Sequence, residues 1–166
     1  MNYLQYWNPE RLNTDFGSLC YLTSSNQSIL KNMQINEIVW LITRRNNSNE
    51  MLLAGKIEIA RKAISKEEAN VILKNDYYPY LQSTDINYKY DLEILNLNNY
   101  VFSKIGTIEH LKLENLLNVS LILREEFYNG NPIKPQNFQS IRKVHNSLNN
   151  RLLNLYNSIC IGRSFY

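Results

Sequence analysis

Ser25-Asn26-Gln27-Ser28-Ile29-Leu30-Lys31-Asn32-Met33-Gln34-Ile35-Asn36-Glu37-Ile38-Val39-Trp40-Leu41-Ile42-Thr43 decides how this chain folds. A polar turn opens the stretch, and Ser25 or Asn26 can cap a short helix running to about Asn32. Ile29, Leu30 and Met33 supply an apolar stripe at helical spacing. Gln34 to Glu37 reads as a turn, and Ile38 to Thr43 as an apolar strand. Arg44 to Glu50 holds three asparagines and a serine, the composition of a polar hairpin loop. The next strand, Met51 to Ile59, alternates Leu53, Gly55, Ile57 and Ile59 with Ala54, Lys56 and Glu58, a half-buried pattern. Gly55 in its middle predicts a bulge or a close backbone approach.

Outward from this core, 166 residues suit one domain, residues 1–166, large enough to bury a real core. Upstream, Tyr3 to Trp7 reads as a first strand. Asn8-Pro9 stops it, because proline brings no ladder donor and restrains the residue before it. Pro9 to Leu12 can form one helical turn closed by Phe16-Gly17, and Leu19 to Thr23 is a second strand. Downstream, Ser65-Lys66-Glu67-Glu68 is a capping box opening a helix to about Lys74. Asp76 to Tyr90 has no clean period and reads as a long aromatic loop. Asn99 to Ile105 and Val119 to Arg124 are expected strands. Asn129-Gly130-Asn131-Pro132 is a turn. From Phe138, the series Ile141, Val144, Leu148, Leu152, Leu155 and Ile159 fits a long amphipathic helix.

The net charge of +3 is mildly basic, so contact with phosphates would come from a local patch and be salt-sensitive. Twelve tyrosines supply groups with an apolar body and a polar tip, suited to half-buried positions and to ligand surfaces. The abundant asparagines fit a biased host composition. Cys20 and Cys160 match no metal spacing and read as free thiols. Without a signal-like segment or a long apolar run, the expectation is a cytoplasmic protein with no membrane span.

The order of these elements resembles the core of the PUA-like barrels, above all the EVE and YTH-like branch. Ser25-Asn26 stands where that branch has Arg-Asn. Met33-Gln34-Ile35-Asn36-Glu37 stands where it has Met-x-x-Gly-Asp. Asn36 can take the left-handed conformation usually given to glycine, and Glu37 keeps the acid. Leu53-Ala54-Gly55-Lys56-Ile57-Glu58-Ile59 resembles the family's Gly-x-Val-Glu-Val strand. The match departs at the Arg and the Gly, and Ile42-Thr43 replaces a His-Ser strand ending. Trp7-Asn8-Pro9 before this core is also similar to the specificity modules of modification-dependent restriction systems. The resemblance implies an α+β fold, a small bent PUA-like β-barrel with surrounding helices and a long C-terminal helix. It implies a pocket holding one nucleobase.

A base reader needs flat groups to stack on the base, amides or hydroxyls for its edge, and cations for the flanking phosphates. A base in a duplex must first be flipped out, at a cost of a few kcal/mol. Under the resemblance the pocket is Trp7, Asn8, Ser25, Asn26, Trp40, Thr43, Tyr78 and Tyr80. Phosphate contacts fall to Arg44, Arg45, Lys134 and Arg142. Each has a plainer reading. Trp7 and Trp40 can be core aromatics, Asn8, Ser25 and Asn26 ordinary caps, and the tyrosines around Pro79 a loop packed onto the core. Arg44 and Arg45 can end a solvated hairpin, and Lys134, Arg142, Lys143 and Arg151 can form a solvated helix face.

His110 and His145 read as structural, since no nucleophile motif or third orienting group accompanies them. Glu125-Glu126 reads as a solvated end. The expected function is therefore a nucleic-acid-binding module without chemistry or cofactor. It would recognise a modified, flipped base, in DNA before RNA, and serve an associated nuclease or NTPase. A small ASCH-like enzyme acting on a nucleoside or RNA is the alternative, with Lys56, Glu58 and Thr43 as its conceivable set, although alternation puts Lys56 and Glu58 on the outer face. A protein-interaction module built on the C-terminal helix and the tyrosine loop is the third reading.

Overall fold

The computed structural model describes residues 1–7, 22–24, 28–45, 48–72, 74–75, 99–103, 109–110, 116–131, 138 and 140–163. The expected turn at Pro9 to Leu12, the tyrosine loop and the Lys134-Pro135 segment lie outside them. Among the described residues the strands are β1 (Asn2–Tyr6), β2 (Leu22–Ser24), β3 (Ile38–Arg44), β4 (Met51–Ala63), β5 (Tyr100–Ser103), β6 (Glu109–His110), β7 (Leu117–Asn118) and β8 (Arg142–Val144). The helices are α1 (Ile29–Asn32), α2 (Lys66–Ile72), α3 (Ser120–Tyr128) and α4 (Asn146–Arg163).

The strands form one mixed sheet in the order β2-β5-β4-β3-β1-β8, with β6 and β7 as short additions pairing β4. β1 and β3 run parallel, and the other pairs are antiparallel. The expectation of a bent barrel is corrected in one respect: among the described residues the sheet stays open, ending at β2 and β8. The bend itself is present. β4 runs 13 residues, beyond the predicted end at Ile59. Its first part pairs with β3 and its last part with β5. Two register shifts let it turn. One sets Leu41 against Gly55 and Ile42 against Leu53, leaving Ala54 as the extra residue beside the predicted Gly55. The other skips Ala60. An extra residue on one strand bends it and raises its local twist.

The sheet separates two apolar layers. On one face Leu4, Trp40, Ile42, Met51 and Leu53 pack with Val119 and Leu123 of the α3 region and with Leu148, Leu152 and Tyr156 of α4. On the other face Tyr3, Val39, Leu41, Ala54, Ile57 and Ile59 pack with Leu30 and Met33. Burial on both faces explains why Met51 to Gly55 are all buried where alternation predicted every second residue.

The quoted stretch folds much as read. α1 is shorter than predicted, starting at Ile29 and stopping at Met33, whose backbone is extended. Its last carbonyls are well used: Lys62 Nζ donates to Lys31 O at 2.7 Å, and Gln34 Nε2 donates to Asn32 O at 3.2 Å. Asn36 takes φ 71°, in the left-handed region. Its N–H donates to Ile59 O, and Ile59 N–H donates to Glu37 O, so the turn is stitched onto the second bend of β4. Glu37 Oε2 accepts the Gln34 N–H at 2.7 Å, and Oε1 meets the Met1 ammonium at 2.7 Å. The α2 entry matches its motif in part. Ser65 Oγ accepts the Glu68 N–H, while Glu68 reaches back to the N–H of Ile64.

Two predicted elements are corrected. Val119 to Arg124 is not a strand but the start of α3. Asn118 Oδ1 accepts the Ser120 N–H, and Ser120 Oγ accepts the Met51 N–H, so two polar side chains tie this helix start to β4. Val119 and Leu123, four apart, then reach the same core. The long helix from Phe138 is likewise corrected: Arg142 to Val144 pair with β1, and helix begins at Asn146. Ile141 packs in one apolar layer and Val144 in the other. One helix face cannot serve both sides of a sheet.

Candidate nucleic-acid interface

β1 and β3 run parallel and end at the same pole of the sheet. There the Trp7 N–H donates to Ile42 O at 2.7 Å, and Thr43 Oγ1 donates to Trp7 O at 2.8 Å. The two bonds extend the β1–β3 pairing by a residue and fix where Trp7 leaves the sheet. Trp7 is half-buried against the Leu41 layer. Thr43 is 2% exposed, so its hydroxyl serves the backbone rather than a solvent-facing edge.

Arg44 and Arg45 follow at the same pole, both exposed. Their surroundings differ. Arg45 Nε meets Glu50 Oε2 at 2.6 Å, and Glu50 Oε1 accepts from Asn118 Nδ2 at 2.6 Å. Arg44 instead follows, by two residues, the Ile42 that pairs with Tyr6, whose phenol it neighbours. Burial raises the pKa of that phenol and the nearby Arg44 charge pulls it partly back, so Tyr6 is neutral at physiological pH. The Tyr6 ring packs against the Trp40 layer.

The other candidates divide. Trp40 is fully buried on the opposite sheet face from Trp7. Its Nε1 donates to Asn149 Oδ1 at 2.9 Å, and its ring meets Tyr156 edge-on at 5.9 Å. It is a core residue, and its placement as a pocket wall is corrected. Arg142 lies on β8, not on a helix, with its guanidinium 5.4 Å from the Phe127 ring and 5.2 Å from the Phe138 ring. Arg151 of α4 pairs with Glu125 at 2.7 Å. The expected basic stripe is thus split between a strand and a helix. Asn8, Ser25, Asn26, Tyr78, Tyr80 and Lys134 lie outside the described residues.

The set Lys56, Glu58 and Thr43 does not converge. Lys56 sits opposite Trp40 and Glu58 opposite Ile38, whereas Thr43 follows the alternation of Val39 and Leu41 on the other face. Lys56 Nζ lies 5.0 Å from the centre of the Tyr156 ring, on the α4 side and not on an outer face. Sequence reasoning passed over Tyr6 and Asn149. Their signals were position in the parallel register for one and i+4 spacing from His145 for the other, and neither names a partner. Among the described residues, no group of three or more His, Cys, Asp or Glu side chains could hold a metal. No described helix is long and apolar enough to cross a membrane.

No protein-family model and no curated protein sequence matches the chain. Solved structures do resemble it. A crystal structure of a tyrosine variant of the ASCH protein from Zymomonas mobilis superposes with a TM-score of 0.52 at 11% identity, covering 93% of this chain and 97% of that one. A second ASCH crystal structure from the same organism gives 0.50 at 11% identity, covering 93% and 94%. A hypothetical protein from Leishmania major gives 0.52 at 13% identity, covering 95% and 94%. The chain shares its fold with the ASCH structures on which it superposes, and that fold is consistent with the PUA-like architecture expected from the sequence.

Proposed function

We propose that this chain is a nucleic-acid-binding module, and that its recognition end is the pole where β1 and β3 finish. The observation that carries the reading is that Trp7, held by two backbone bonds, and an exposed Arg44 end neighbouring parallel strands at one pole of the sheet. A flat aromatic for a base and a cation for a phosphate are groups that a nucleic-acid reader uses. The resemblance of the Met33 to Ile59 core to PUA-like domains that hold one base supports the same reading, and the superposition on ASCH structures agrees with it in fold.

The finer proposal is recognition of a modified base, extruded from DNA, on behalf of an associated nuclease or NTPase in the cytoplasm. It rests on the likeness of the Met33 to Glu37 turn to the EVE branch, and of Trp7-Asn8-Pro9 before this core to the specificity modules of modification-dependent restriction systems. Binding is proposed to proceed without chemistry on the bound strand.

Fluorescence anisotropy tests both levels. Labelled single-stranded RNA, single-stranded DNA, and duplex DNA with and without methylated bases are titrated with the full chain at low salt. The expected result is binding that weakens as salt rises and favours methylated DNA. Equal affinity for methylated and unmethylated DNA removes the modified-base proposal. Absence of binding to every strand removes the module reading itself.

A further inference from the structure

We propose that Asn129 is a site of spontaneous deamidation, and that the end of α3 controls the reaction by holding the reacting atoms apart. The modification needs no enzyme and no bound group, only water.

Asn129-Gly130 is the only Asn-Gly step in the sequence. Glycine has no Cβ beside its own nitrogen, so that nitrogen can approach the preceding carboxamide with little hindrance. Both residues are exposed, and water reaches them. The first step is a ring closure. The Gly130 nitrogen gives its proton to solvent and bonds to Asn129 Cγ, the carboxamide C–N bond breaks, and ammonia leaves. Water then opens the cyclic imide. Opening at Cγ gives aspartate. Opening at the backbone carbonyl gives isoaspartate, in which the chain runs through Cγ. The net change converts an amide and water into a carboxylic acid and ammonia.

The folded chain opposes the closure twice. Asn129 caps α3 in the left-handed region, at φ 47° and ψ 40°. Closure needs the Gly130 nitrogen and the Asn129 Cβ on the same side of the Cα–C bond. At ψ 40° an L-residue sets them nearly opposite each other. The Gly130 N–H also donates to Arg124 O at 3.1 Å. The reaction therefore waits for the last turn of α3 to open, and helix ends open at low cost.

Once made, the product hinders closing of the turn. A carboxylate at residue 129 faces the negative end of the helix dipole. Isoaspartate adds a backbone carbon and displaces the N–H that Arg124 O accepts. The turn so weakened carries Phe127 and Tyr128, whose rings meet Phe138 edge-on at 5.8 and 5.9 Å. Deamidation thus loosens the aromatic corner that α3 makes with Phe138.

The experiment incubates the full chain at mildly alkaline pH, folded and in concentrated guanidinium chloride, and follows the peptide carrying Asn129 by mass spectrometry. Methylation by an isoaspartate methyltransferase counts the rearranged product. A mixture of aspartate and isoaspartate is expected at residue 129. It should accumulate on the order of tenfold more slowly in the folded chain, the factor that about 1.4 kcal/mol of cap stability supplies. Asn131 is the internal control, because the proline after it has no N–H to attack. Asn129→Gly suits the left-handed cap and should fold like the parent while giving no product there. The aged fraction, separated by ion exchange, should unfold at a lower urea midpoint than fresh protein. A folded rate equal to the unfolded one overturns control by the α3 end. Absence of product in denaturant overturns the site itself. An unchanged midpoint for the aged fraction overturns the coupling to the aromatic corner.

Discussion

The indole of Trp40 donates to the carboxamide of Asn149 across 109 residues of chain, Nε1 to Oδ1 at 2.9 Å, and this bond ties the centre of the sheet to α4. Trp40 is fully buried, so its N–H has no water to fall back on. Tyr156, two turns further along α4, closes the same wall edge-on.

Asn149→Leu should therefore cost about 1–3 kcal/mol by stranding a buried donor. Urea unfolding followed by circular dichroism measures it. Trp40→Phe in the same chain removes the orphaned group, so the double variant should lose less than the sum of the single losses. Strict additivity would mean that the bond contributes nothing to stability.

The turn at Asn36 sits at φ 71° and hands its N–H to Ile59. Asn36→Ala should destabilise by about 1–2 kcal/mol, since a Cβ without a local polar group is disfavoured there. Asn36→Gly should fold as well as the parent. Equal urea midpoints for the alanine variant and the parent would contradict the left-handed turn.

Tyr3 is buried, and its phenol donates to Asn32 O at 3.5 Å with the Glu37 carboxylate nearby. Burial first, and then the Glu37 charge and hydrogen bond, push its pKa up to about 12. The folded protein thus holds this proton more tightly than the unfolded chain, whose tyrosine titrates near 10. The resulting stability is whole below about pH 10 and is lost as pH climbs toward 12, on the order of 2 kcal/mol. Comparing urea midpoints at neutral and alkaline pH tests this, and Tyr3→Phe should flatten that part of the profile.

The Arg151–Glu125 pair joins α4 to α3 at 2.7 Å, but both side chains are nearly half exposed. Arg151→Ala should shift stability by less than about 1 kcal/mol, and added salt should shrink even that. A larger loss in thermal unfolding would show that the arginine's aliphatic stem, not its charge, holds the helices together.

The two tryptophans offer an optical test of the pole. An oligonucleotide that stacks on Trp7 should quench its emission and leave Trp40, sealed under α4, unchanged. Trp40→Phe should keep the quenching, and Trp7→Phe should abolish it. Quenching that follows Trp40 instead would place the ligand on the other sheet face.

Local chemistry was legible wherever one residue suffices to set the backbone. Asn36 supplied the left-handed turn, Gly55 marked the bulge beside it, and Ser65 marked the helix start. Reading failed where two structures share one pattern. Val119, Leu121 and Leu123 alternate like a strand, yet Asn118 accepts the first helical N–H and the helix that follows makes its core contacts four apart. The series from Phe138 matches a helix, yet Ile141 and Val144 belong to opposite layers, and the polar run His145-Asn146-Ser147 was the overlooked break.

By itself the sequence determined the run of elements from α1 through β3 and β4 to α2, the turn between α1 and β3, and the strongly apolar β3 and β4 around which the domain is built. These follow from backbone preference and burial, which act over a few neighbouring residues. Only the tertiary structure decided that Trp7 and Trp40 lie on opposite faces, that the sheet of the described residues stays open, and that Arg45 pairs with Glu50. Each of those depends on which distant side chain arrives to cover or pair a group. Hydrophobic spacing says that a residue is covered; it carries no information about what covers it.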